Sequence, residues 1–236
     1  MDFSGYFAYN SNNREIIVRE DGMKHLIWDW NGTLLADAAL SCEISSSMLV
    51  RRGKAPLPLE RFVSIMGCPY EEAYRKAGFD YAKEPYAALA LEWAEEYARR
   101  WKEASLRSEA KETLGWVRDR GLTQSLLTAS REDLAREQLD WFGLTPYFSL
   151  ITGVDDDLAE GKEHLAQHHA QKLGLAPEDM LLVGDTENDV LTARAIGCPA
   201  ILISGGHMDD ARLIASGLPV LPDLAALRLE LERRLA

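Results

Sequence analysis

Beyond residue 120 the chain alternates between short apolar runs and helical stretches of about ten residues, and few architectures accept that pattern. The runs are residues 123–128, 150–152, 180–183 and 200–203, with a weaker one at Val220-Leu221. Helical periodicity fills residues 133–142, 162–173, 188–196 and 209–215 between them. Gly143, Gly174, Gly197 and Gly217 stand at or just past the helix ends, where a left-handed cap is wanted. Upstream, Leu26-Ile27-Trp28 is a further apolar run that stops at the polar turn Asp29-Trp30-Asn31-Gly32-Thr33. The expectation is an α/β fold, a Rossmann-like doubly wound parallel sheet buried on both faces.

Residues 37–105 interrupt the alternation with helical periodicity and no convincing strand. Pro56, Pro58, Gly67 and Pro69 punctuate them, and Leu89, Trp93, Tyr97 and Trp101 form an aromatic stripe four residues apart. Such a stripe reads as helix core. The predicted organisation is a polar N-terminal extension over 1–22, an α/β core over 23–36 and 106–236, and a small helical domain inserted over 37–105. Within the extension, Ile16-Ile17-Val18 is a candidate strand.

Ligands of open α/β sheets bind outside the carboxyl ends of the strands. There the chain delivers Asp29 and Asn31, then Thr128 and Ser130, then Asp155, Asp156 and Asp157 ahead of Gly161-Lys162. The last two sets are Gly184-Asp185-Thr186-Glu187-Asn188-Asp189 and Ser204-Gly205-Gly206-His207. Carboxylates brought together need a compensating cation. Hard oxygen ligands without a His/Cys set favour Mg²⁺. A lysine and a threonine hydroxyl beside that metal suit a tetrahedral oxyanion such as phosphate, with Asp29 as candidate nucleophile. Each piece has a bland reading too. Thr186 to Asp189 is nearly a capping box, Asp29 could be a turn residue, and Lys162 a solvated helix start.

The formal net charge of -12 disfavours nucleic-acid backbones and anionic membranes as partners. No uncharged run approaches a membrane span. Three widely spaced cysteines, Cys42, Cys68 and Cys198, fit reduced thiols in a cytoplasm. A small metabolite is the expected partner, with a monomer or homodimer as the acting species.

Taken in order, these residues resemble the haloacid dehalogenase-like hydrolases. The four motifs are Asp29-Trp30-Asn31-Gly32-Thr33, Thr128 after Leu126-Leu127, Lys162, and Gly184-Asp185 with Asp189. The run Val183 to Asp189, followed by Ala195-Ile196-Gly197-Cys198-Pro199, is similar to phosphoglycolate phosphatase relatives. The resemblance implies that Asp29 attacks phosphorus and forms an aspartyl-phosphate. Gly32, Thr128, Ala129 and Lys162 would hold the phosphoryl group. Asp29, the Asn31 carbonyl and Asp185 would bind Mg²⁺, with Asp189 behind them orienting the site. The helical insert resembles the family's C1 cap, and Met66, Gly67 and Tyr70 would lie in its specificity loop. Arg75 and Lys76 read as a solvated helix face.

Asn31 departs from the family pattern. Its phosphatases carry an Asp two residues after the nucleophile, which protonates the leaving group; an amide cannot. General acid–base help is typically worth about 10²–10⁴-fold. Three readings follow: a phosphohydrolase using another acid or good leaving groups, a haloacid dehalogenase-type hydrolase, or a weak or inactive phospholigand-binding protein. His207 is a candidate acid, whereas His164, His168 and His169 read as solvated helix residues. Ser64 stands where phosphonoacetaldehyde hydrolases carry a Schiff-base lysine, which argues against phosphonate cleavage. Intact Asp29, Lys162, Asp185 and Asp189 favour the phosphohydrolase of a small phosphorylated metabolite.

Overall fold

The computed structural model describes residues 7–9, 15–17, 22–155 and 162–235. Asp156, Asp157 and Gly161 lie outside the described residues, as does Val18. In the N-terminal extension, strands β1 (Phe7–Tyr9) and β2 (Glu15–Ile17) pair antiparallel, with Phe7 opposite Ile17.

The main sheet among the described residues has six strands: β3 (His25–Trp28), β6 (Thr123–Arg131), β7 (Leu150–Val154), β8 (Met180–Gly184), β9 (Ala200–Ile203) and β10 (Val220–Leu221). All pair in parallel, in the order β10-β9-β8-β3-β6-β7. Each expected run is a strand, and β6 continues three residues past the apolar stretch. Because neighbouring side chains on a strand point to opposite faces, β3 serves two cores. Leu26 and Trp28 pack with Leu114 and Val117 of α5 (Ala110–Asp119), Leu139 of α6 (Glu132–Phe142) and Leu227 of α10 (Leu224–Leu235). Ile27 packs on the other face against Ala166 of α7 (Glu163–Leu173) and Ala193 of α8 (Glu187–Ile196). The last helix before β10 is α9 (Asp210–Ala215). Gly143, Gly174 and Gly197 cap α6, α7 and α8 in the left-handed region.

His169 departs from its expected solvated position. It is fully buried, with Nδ1 2.8 Å from Thr152 Oγ1 and Nε2 2.8 Å from Ser125 Oγ. Ser125 Oγ also lies 2.7 Å from His25 Nε2. Burial pulls His25 down to about 4 and His169 to about 3, so both rings stay neutral inside a hydroxyl-lined core.

Between β3 and α5 the chain forms α1 (Ala38–Arg51), α2 (Leu59–Ile65), α3 (Tyr70–Ala77) and α4 (Tyr86–Arg100). These helices build their own apolar cluster around Ile44, Met48, Phe62, Leu89, Tyr97 and Trp101. The chain enters and leaves them side by side, through β4 (Leu35–Ala36) and β5 (Ser105–Leu106), which pair antiparallel.

Candidate active site

β3 and β8 are neighbours at the centre of the sheet, at the point where strand order reverses. A crevice opens there outside the carboxyl ends. Asp29 follows β3 and is tied to β8 by its N–H, which donates to Val183 O at 2.9 Å. Lys162, immediately before α7, is 1% exposed and places its ammonium beside three oxygens, donating to the first and last and ion-pairing with the second. These are Asp29 Oδ1 at 2.5 Å, Asp189 Oδ1 at 2.6 Å and Leu127 O at 2.8 Å. The other oxygen of Asp189 accepts from Asp185 N, Thr186 N and Thr186 Oγ1 at 3.1, 3.0 and 2.8 Å. One carboxylate therefore caps α8 and partners the lysine, so the bland and the chemical readings of this motif coexist.

Asp185 is fully buried, accepting from Thr33 Oγ1 at 2.9 Å and His207 N at 2.7 Å. Oxygen atoms of Asp29, Asp185 and Asp189 all lie within 4.8 Å of one another. Burial pushes the Asp29 carboxyl well above the usual carboxylate range; Lys162 opposes this, while Asp189 and Asp185 add to it. Burial works against Asp185 as well, but the hydrogen bond and charge of His207 hold it below its ordinary value. Lys162 is raised, because Asp189 and Asp29 outweigh its desolvation. His207 sits with Nδ1 3.5 Å from Asp185 Oδ2 and Nε2 3.6 Å from Asp37 Oδ1. Burial lowers its pKa, yet Asp37 and Asp185 prevail and push it up to about 9. Its charge is thus held between two carboxylates.

Asn31 is enclosed. Its Nδ2 donates to Asp37 Oδ2 at 2.7 Å and to the Tyr97 hydroxyl at 2.8 Å, and its Oδ1 accepts from Ser130 Oγ at 2.6 Å. Tyr97 donates in turn to Asp37 Oδ2 at 2.7 Å. Asp37 precedes α1 but does not cap it; its second oxygen takes the Gly32 N–H at 2.9 Å. Arg107 closes the loop by donating to Gly32 O at 2.7 Å and Ser204 O at 2.5 Å. None of Asp37, Tyr97 and Arg107 stands out from the sequence. Tyr97 belongs to the stripe read as core, and its ring is buried there, but its hydroxyl projects into the site.

Gly32 has φ +79, and a Cβ on it would lie 2.2 Å from Asp185 Oδ2. Gly32→Ala is expected to cost at least about 1–2 kcal/mol from the left-handed backbone, which thermal unfolding reads as a fall in Tm of several degrees. Thr128 is buried, and its hydroxyl accepts from Ser130 N at 3.1 Å. Ala129, Met66, Tyr70 and His207 line the cleft over Asp29. Gly67 is not among its lining residues; it packs where Arg212 donates to Met66 O and Ser64 O.

The three clustered carboxylates offer hard oxygen donors with no thiol or imidazole in the group, and they fit Mg²⁺ better than zinc.

Residues 26–203 match the haloacid dehalogenase-like hydrolases, and the chain belongs to that family. Among curated relatives, a phosphoglycolate phosphatase of Chromobacterium violaceum is 31% identical over 202 residues, covering 81% of this chain and 89% of the relative. Among solved structures, a predicted phosphatase from Clostridium acetobutylicum superimposes with a TM-score of 0.78 at 19% identity, covering 90% of this chain and all of that one. A haloacid dehalogenase-like family protein from Streptococcus pneumoniae gives 0.74 at 20%, covering 88% and 98%. At those identities the likeness speaks for the fold. No helix among the described residues is long and apolar enough to cross a membrane.

Proposed function

We propose that this chain is a Mg²⁺-dependent phosphohydrolase of a small phosphorylated metabolite in the cytoplasm, with residues 37–105 serving as a cap over the site. The observation that carries the reading is the contact of Lys162 with Asp29 beside Asp185, in a buried carboxylate cluster at the strand switch point. Asp29 attacks phosphorus, the ester oxygen departs with its electron pair, and an aspartyl-phosphate forms on Asp29. Water then attacks that phosphorus, releasing phosphate and restoring the carboxylate. Thr128 and Lys162 orient the phosphoryl oxygens, and Asp189 positions Lys162. Asp29, Asp185 and the Asn31 carbonyl would hold Mg²⁺, which supplies charge neutralisation at the phosphoryl group. The reading requires release of phosphate from p-nitrophenyl phosphate that depends on Mg²⁺ and stops on chelation. Metal-independent release, or none at all, would sink it.

Asn31 cannot pass a proton to the departing oxygen, and both hydrogens of its amide are engaged by Asp37 and Tyr97. Asn31→Asp sets two carboxyls within one hydrogen bond of each other, so one of them holds a proton to higher pH. Turnover of an alkyl phosphate such as ethyl phosphate is expected to rise about 10²-fold, and that of p-nitrophenyl phosphate far less. The acid works only while protonated, so the gain falls away as pH rises through its pKa. Adding Asp37→Asn removes the like charge and should move that falling limb to lower pH. Equal gains on both substrates would show that proton donation does not limit the enzyme.

A further inference from the structure

The cleft has a character that the phosphohydrolase reading, on which this inference rests, leaves unused. Above Asp29 the helical layer presents Phe62, Met66, Tyr70, Tyr74 and Trp93. Tyr70 and Tyr74 lie one turn apart on α3. Trp93 is stacked on Tyr97, with centroids 4.9 Å apart and planes 12° from parallel, so its exposed face is held in place. The Phe62 ring stands 6.2 Å from that of His207.

Cations are missing where a second anion of the substrate would need them. Among the described residues, no Lys or Arg lines this cleft. Lys162 is engaged by Asp29 and Asp189, and His207 by Asp37 and Asp185. Arg75 is exposed and paired with Glu71 and Glu72. Arg131, in the adjoining groove, is paired with Asp133. Residues 156–161 contain no Lys or Arg. A carboxylate carried into this cleft would give up its water for aromatic rings and other carboxylates, which is costly.

We propose that the substrates are aryl phosphate monoesters, whose neutral aromatic ring is received by Trp93, Tyr74, Phe62 and Met66. Asn31 supports the same class independently. A phenol, with a pKa near that of tyrosine at about 10, departs as phenolate without an acid to protonate it. An alkanol, nearer to water in acidity, does not. In the balanced reaction Asp29 bonds to phosphorus, the P–O(aryl) bond breaks, and phenolate leaves with the electron pair and is protonated by solvent. Water then splits the aspartyl-phosphate to inorganic phosphate and free Asp29.

Binding of non-cleavable phosphonates separates the ring's contribution from leaving-group chemistry. Benzylphosphonate copies phenyl phosphate, and 3-phosphonopropionate copies phosphoglycolate. With Mg²⁺ present, calorimetry is expected to show benzylphosphonate binding about ten- to a hundredfold tighter, the advantage of burying an aromatic ring. Trp93→Ala should remove most of that advantage while inorganic phosphate binds as before. Met66→Lys should invert the preference, and it decides alone if Trp93→Ala fails to fold. Equal binding, or tighter 3-phosphonopropionate, overturns the aryl class and leaves the phosphohydrolase reading standing, because inorganic phosphate would still bind. If none of the three binds, inorganic phosphate included, the phosphoryl site itself is misassigned and the substrate class falls with it.

Discussion

Asp29→Asn is expected to abolish phosphate release by at least about 10⁴-fold, as removal of an attacking group does in other covalent catalysts, without lowering the stability of the chain. The second half of this expectation follows from the carboxylate cluster. Asp29 is 8% exposed and shares its site with Asp185 and Asp189, both essentially buried, so burial and like charge already push its pKa upward. An amide is close in shape to the carboxylate, still accepts from Lys162 through its oxygen, and removes one of three clustered negative charges. Without divalent metal, Tm should hold or rise by a few degrees, because a site built for chemistry is relieved of strain when its nucleophile is neutralised. With Mg²⁺ added, the variant should gain less Tm than the parent if Asp29 is a ligand, as proposed. A clear fall in metal-free Tm would mean that Lys162 needs the Asp29 charge more than the cluster suffers from it. Residual turnover near the parent level would remove Asp29 from the reaction.

Lys162→Met presents the opposite combination, with activity and stability lost together. The ammonium is the direct counter-charge of Asp29 and Asp189 and also satisfies the Leu127 carbonyl. Removing one partner of a buried ion pair typically costs about 3–5 kcal/mol, which for a chain of this size is a fall in Tm on the order of 10 °C. Two further measurements identify the cause. Adding Asp189→Asn should recover part of the loss, since contacting residues do not contribute additively. The penalty should also shrink as pH is lowered. A carboxyl whose folded pKa is raised above its unfolded value, as that of Asp29 is, costs stability that builds up from the unfolded pKa, is complete above the folded one, and vanishes in acid below both. A pH-independent loss that Asp189→Asn fails to relieve would point to packing of the lysine stem instead of its charge.

Much of the architecture was legible because it is written in short-range patterns. Apolar runs of three to six residues, glycine-capped helices and a polar turn after each strand are local signals, and they placed β3, β6, β7, β8 and β9 and the helices between most of them. Lys162 and the Asp185 to Asp189 run could be nominated because strand ends converge in any doubly wound sheet. His169 was misread because its burial arises from hydroxyls at Ser125 and Thr152 on two strands, which helical periodicity does not encode. The aromatic stripe was read rightly as packing for Leu89 and Trp101. Nothing in its spacing distinguishes Tyr97, whose hydroxyl meets Asn31 and Asp37, or Trp93, whose face lines the cleft.

Residue order alone thus settled the parallel α/β core, the helical insert after its first strand, and which carboxylates and which lysine stand at the strand ends. It also showed an amide, Asn31, two residues after Asp29. Folding settled what surrounds that amide. Asp37 and Ser130 close on it from positions 6 and 99 residues away, and Tyr97 from 66. Strand and helix periodicities describe which face a side chain takes within its own element. The partners it meets depend on how separate elements pack, so the carboxylate–amide–phenol contact at Asn31 and the aromatic roof over Asp29 exist only once the helical layer lies across the sheet.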